Sequence, residues 1–219
     1  MPVTRKIYEA SVLFGAATSA ADSIPSPARA GGQLLALVST TFSAAAVEAF
    51  LNEATKMASD FASLPSEPQA VRLFAECMVE AEDNHTSLPS KFALANWILV
   101  GTKLNKGVQP YQDFDLLVRL RNRVMHFKGN QRFEQNVTAE EFHRELIQSF
   151  GNKQILAEDM EPGSWLHAIE TKAVAEWSCR TAAKVVVDFA SKAPQGVWRN
   201  FLHGIHRHFV PYASEQRKD

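Results

Sequence analysis

R-L-R-N-R-V-M-H-F, residues 119–127, places three arginines, an asparagine and a histidine among leucine, valine, methionine and phenylalanine. On a helix turning about 100° per residue, Leu116, Leu117, Val118, Leu120, Val124, Met125 and Phe127 cover one broad apolar arc. Arg119, Asn122, Arg123 and His126 gather opposite, at the i, i+3, i+4, i+7 spacing of one stripe. Arg121 alone breaks the pattern, because it falls inside the apolar arc between Leu117 and Met125. A buried guanidinium is costly unless it meets a carboxylate, a phosphate or an interface. Three readings fit: Arg121 snorkels to the edge of the arc, pairs with a core carboxylate such as Glu48, or lines a cleft between subunits.

The same helical period runs through the whole sequence, and no sustained period-2 alternation appears, which predicts an all-α fold. The expected helices are 4–22, 29–62, 68–83, 89–103, 110–127, 138–150, 164–192 and 195–209. The stretches I-P-S-P (24–27) and S-L-P-S-E-P (63–68) punctuate them, and Thr138 with Glu141 forms a capping box. Leu166, Ile169, Val174, Trp177, Val185 and Phe189 form the inner stripe expected of the 164–192 helix. Phe74, Met78 and Ala81 play that part in 68–83. The four tryptophans, Trp97, Trp165, Trp177 and Trp198, read as core anchors, although Trp198 beside Arg199 is also placed to stack on a base. One helical domain over 1–212 is expected, with a core at about 29–130, a C-terminal extension at 138–212 and a disordered tail at 213–219.

Composition narrows the function. With 219 residues, 46% hydrophobic and 21% charged, the chain is long enough for a proper core. A net charge of −1 supplies no global attraction to nucleic acid or membrane, so any phosphate contact must be local. No apolar run is expected to span a bilayer, and the N-terminus reads as an amphipathic helix rather than a signal peptide. The two cysteines, Cys77 and Cys179, read as reduced core thiols, which points to a cytoplasmic chain.

Locally the picture is different. Between Arg119 and Arg132 there are five basic residues and no acidic one. Arginine forks match phosphate oxygens, and histidine exchanges protons near neutral pH. Arg119, Arg123 and Lys128 are therefore candidate phosphate contacts. Upstream, T-F-S-A-A-A-V-E-A-F-L-N-E (41–53) combines small residues that permit close helix packing with Glu48 and Asn52 on one face. That pair is placed to orient an arginine or histidine from a neighbouring helix. H-G-I-H-R-H (203–208) sets His203 and His206 three apart, but no cysteine or carboxylate pattern completes a metal site. A polar face, or a basic groove continued by Arg199 and Arg207, is the better reading. No metal and no cofactor is expected.

R-N-R-V-M-H (121–126) resembles the signature of HEPN domains, an arginine followed four to six residues later by a histidine, often with a polar residue directly after the arginine. A-V-E-A-F-L-N-E (46–53) is similar to the earlier helix of such domains, which brings an acidic residue and an asparagine near the site. The resemblance implies an antiparallel helical bundle that forms a homodimer, with two motifs facing one cleft. It also implies a metal-independent endoribonuclease acting on RNA, as in toxins and anti-phage defence systems, with a separate antitoxin or defence partner. Arg121, Asn122 and His126 would be catalytic, with Glu48 and Asn52 in support. Other members bind nucleotides or proteins without catalysis.

Overall fold

The computed structural model describes residues 8–25, 33–125, 139–156 and 165–214. It is all-helical: α1 (Glu9–Asp22), α2 (Gln33–Phe61), α3 (Gln69–Asp83), α4 (Leu88–Val100), α5 (Tyr111–Met125), α6 (Ala139–Gly151), α7 (Trp165–Ile169), α8 (Lys172–Lys192), α9 (Val197–His206) and α10 (Val210–Ser214), with no strand among the described residues. Thr138 of the expected capping box lies outside the described residues, as do 215–219 of the expected 213–219 tail, whereas Ala213 and Ser214 belong to α10.

Helix α2 is the axis of the fold, packing against α1, α3, α5, α8 and α9. Its residues Ala46, Val47, Phe50, Leu51, Ala54 and Ala58 are fully buried. Within its 28-residue stretch Leu34–Phe61, an 18-residue window reaches a mean hydropathy of 1.8, long and apolar enough to cross a membrane by composition. The sequence reading, which expected no such run, is corrected here. Half of the window is buried inside the fold, as a central bundle helix requires. Where the early turns of α2 meet α8, small hydroxyls join the apolar contacts: Ser39 Oγ donates to the Ala175 carbonyl at 3.3 Å, and the Thr40 and Ser178 hydroxyls bond at 3.0 Å.

Phe189 of α8 joins four other elements. Its ring packs against Phe50 of α2 at 5.6 Å, Phe74 of α3 at 6.0 Å, Phe92 of α4 at 5.6 Å and Trp198 of α9 at 6.4 Å. Such aromatic pairs add about 0.5–1.5 kcal/mol each beyond the area they bury. The expected stripes of 68–83 and 164–192 face inward, with Phe74, Met78, Ile169, Val174 and Phe189 nearly inaccessible.

The 164–192 helix is divided, contrary to expectation. Thr171 adopts an extended conformation and its hydroxyl accepts the Val174 amide at 3.0 Å while donating to the Ile155 carbonyl at 2.8 Å. Threonine is a strong N-cap, and here the cap starts α8 afresh. The 195–209 helix likewise ends at His206, and a turn leads into α10. Trp97 is the clearest error: it is 59% exposed rather than a core anchor. Helix α4 is apolar on nearly all sides, so periodicity could not tell which side would be covered. Phe92, Ala95 and Asn96 turn inward and Trp97 outward.

Candidate functional site

Helix α5 begins with its apolar arc pressed into the core: Phe114, Leu117 and Leu120 are nearly inaccessible. Beyond Leu120 the arc leaves the core, and Met125 is 57% exposed. Arg121 stands at this transition. Its Nη2 donates to Glu48 Oε2 of α2 at 3.0 Å, and its Nη1 donates to Asn122 Oδ1 at 3.0 Å. The Arg121 and Glu48 side chains are 30% and 39% exposed, so the pair lies at the surface of one chain rather than sealed within it. Of the three sequence readings of Arg121, the carboxylate pairing is the one observed.

Arg119 is half-exposed and also paired, with Asp115 Oδ2 at 3.1 Å and Glu145 Oε2 of α6 at 3.8 Å. Arg123 is half-buried on the same helix end. The basic run that looked free of acid in sequence thus meets carboxylates in space, two of them from other helices. His126 and Lys128 lie outside the described residues.

Asn52 is exposed, one turn beyond Glu48. The two line a groove of about 470 Å³ between α1 and α2, with Glu9, Ala49, Glu53 and Lys56. Sequence reasoning missed Glu9 and Glu53, because nothing in their spacing marks them. Glu53 Oε1 accepts the Ala10 amide at 3.2 Å, while Oε2 is buried without a hydrogen bond among the described residues. Burial pushes the Glu53 carboxyl up from its ordinary value, against the hydrogen bonds from the Ala10 and Glu9 amides.

At the other end of α5, two polar clusters fix the helix to its neighbours. Tyr111 donates to Asp188 at 2.7 Å, and Lys192 pairs with the same Asp188 oxygen at 2.7 Å. Burial first, then the hydrogen bond and charge of Asp188, raise the Tyr111 phenol far above its ordinary range. Asp113 pairs with Lys153 at 2.6 Å and accepts from Trp177 Nε1 at 3.2 Å. Burial pushes the Asp113 carboxyl up, but hydrogen bonds from Lys153, Gln109 and Trp177 outweigh it and hold the group below its ordinary value. These contacts position the motif helix without touching Arg121.

Trp198 is fully buried, and its Nε1 donates to the Ala54 carbonyl at 2.9 Å, so it cannot stack on a base. Trp177, 7% exposed, is a core anchor, and the Trp165 side chain lies outside the described set. His203 and His206 sit with ring centroids 4.8 Å apart. Among the described residues no group of three histidine, cysteine, aspartate or glutamate side chains is placed to hold a metal ion. No family model matches this chain, and neither the curated proteins nor the solved structures yield a match.

Proposed function

We propose that this chain is a HEPN-type, metal-independent endoribonuclease that works as a homodimer in a toxin or anti-phage defence role. The observation that carries the reading is the Arg121–Glu48 pair with Asn122 attached. It joins the two sequence segments of the resemblance, 121–126 and 46–53, at a partly exposed surface. Glu48 and Asn122 together hold the guanidinium in one orientation. Among the described residues they occupy two of its five N–H donors and leave the others for phosphate oxygens.

In the proposed reaction the RNA 2′-oxygen forms a bond to the adjacent phosphorus as the bond to the 5′-oxygen breaks. The 2′-hydroxyl gives up its proton and the departing 5′-oxygen gains one, leaving a 2′,3′-cyclic phosphate. His126 is the general acid or base, and Arg121 stabilises the charge on the phosphoryl oxygens. Asn122 steadies Arg121 or the phosphate, and Arg119, Arg123 and Lys128 are outer phosphate contacts. The test is RNA cleavage in a metal chelator by the wild type, Arg121→Ala and His126→Ala. Cleavage by the wild type alone is the expected result.

A second reading has its own observation. Both Arg119 and Arg121 are already neutralised by carboxylates of the same chain, which suits a non-catalytic helical dimer that binds a nucleotide or a protein. Inactivity of a well-folded wild-type dimer on varied RNAs would favour it.

A further inference from the structure

Helix α9 has two very different faces. Trp198, Leu202 and Ile205 are fully buried against the core. Beside this face, Arg199, His203 and His206, with Arg207 at the C-cap, recur at i, i+4, i+7 and i+8, a single stripe in which His203 and Arg207 are exposed and Arg199 and His206 half-buried, with His208 beside its end. From Phe189 to Ser214 the sequence contains no aspartate or glutamate. Among the described residues, Arg199 makes no ion pair, and Arg207 bonds only to the His208 ring at 3.4 Å. The contrast with Arg119 and Arg121, both held by carboxylates, is direct.

Helix stability does not account for this stripe. Cations favour a helix C-terminus, which suits Arg207, but Arg199 stands in the first turn, where the helix dipole opposes a positive charge. The carboxylate at that end, Glu67, is buried, and its Oε1 accepts the Val197 and Trp198 amides at 2.5 and 3.3 Å. Burial, then the charges of His206 and Arg199, hold the His203 imidazole below its ordinary value.

We infer that the outward stripe of α9, built on Arg199, His203, His206 and Arg207, is a second binding surface for the phosphate backbone of single-stranded RNA. The identity of the polyanion rests on the ribonuclease reading; the surface itself rests on the stripe. Residues four apart on a helix rise about 6 Å, close to the spacing of successive phosphates on an extended strand. A lipid surface fits worse, because a helix that binds a membrane needs a free apolar face, and the apolar face of α9 is already inside the core.

The experiment measures binding of a labelled oligouridine to the full chain over a range of salt, with His126→Ala present to prevent cleavage. Replacing Arg199→Gln and Arg207→Gln together should weaken binding about tenfold and reduce the salt slope by about 1.4, the loss of two phosphate contacts on a single strand. Arg199→Lys with Arg207→Lys should restore most of the slope, and Lys184→Gln, exposed on α8, should change neither binding nor slope by a comparable amount. Unchanged affinity and slope in a folded Gln variant overturn the inference. So would equal, arginine-dependent binding of a polyglutamate peptide. A parallel cleavage assay on the chain with native His126 separates the two proposals. Cleavage without stripe-dependent binding overturns the stripe alone, and stripe-dependent binding without cleavage overturns the ribonuclease reading alone.

Discussion

Glu48 and Arg121, 73 residues apart in sequence, meet across α2 and α5 at 3.0 Å. Both are more than a quarter exposed, so the pair is worth at most about 1 kcal/mol to folding. On the proposed ribonuclease reading its value lies in aiming the guanidinium. Glu48→Gln should therefore leave the unfolding midpoint nearly unchanged yet lower RNA cleavage about 10–100-fold, the effect of misplacing a charge-stabilising group. Urea denaturation and a cleavage assay on the same preparation check both halves.

Glu67 and Gly196 form a second dependent pair. The Glu67 side chain, only 5% exposed, caps the first amides of α9. It fits because position 196 has no side chain: a Cβ there would stand 2.7 Å from Glu67 Oε2 and 2.9 Å from Oε1. Glu67→Ala and Gly196→Ala should each cost about 1–3 kcal/mol, the loss of a buried cap. Both act on one contact, so the double variant should cost less than their sum, although the strain of a Cβ at φ +159° persists in it. Additive losses in chemical denaturation would contradict the coupling.

The fold was legible where the helical period was clean. Phe74, Met78 and Ala81 mark the buried side of α3, and α5 shows its arc down to Leu120. The misplacement of Arg121 in that arc pointed to a partner, and Glu48 was among the candidates. Three things were hidden. Thr171 divides one periodic stretch into two helices through a cap made partly by a distant carbonyl, Ile155. Trp97 sits on a helix without a polar side, where hydropathy carries no direction. The carboxylates that neutralise Arg119 and Arg121 come in part from α2 and α6, so a count of charges along 119–132 missed them.

Asp113 and Glu53 should leave opposite marks on the pH profile of stability. The Asp113 carboxyl is held below its ordinary value, so it stabilises the fold above its unfolded pKa, and that contribution is lost as pH falls through the lower folded value. The Glu53 carboxyl is raised, so it costs stability as pH rises from its unfolded pKa through the folded one. Asp113→Asn should thus be destabilising at about pH 7 and lose its effect in strong acid. Glu53→Gln, which keeps an acceptor for the Ala10 amide, should raise stability at about pH 7 and match the wild type near pH 4 or below. Urea midpoints across this range give the signs.

Trp97 and Trp198 offer a direct check on the packing. Trp198→Ala should cost about 3–5 kcal/mol, whereas Trp97→Ala should change stability by no more than about 0.5 kcal/mol. Acrylamide should quench the wild-type fluorescence partially, and Trp97→Ala should reduce the quenchable fraction while Trp198→Phe should not.

The central claim is the chemistry assigned to Arg121 and His126, and the ends of the RNA fragments test it most directly. Fragments made by the wild-type chain in excess chelator should carry 2′,3′-cyclic phosphate and 5′-hydroxyl ends, and Arg121→Ala and His126→Ala should make none. Fragments with 5′-phosphate ends, or cyclic-phosphate ends still produced by both variants, would contradict the account.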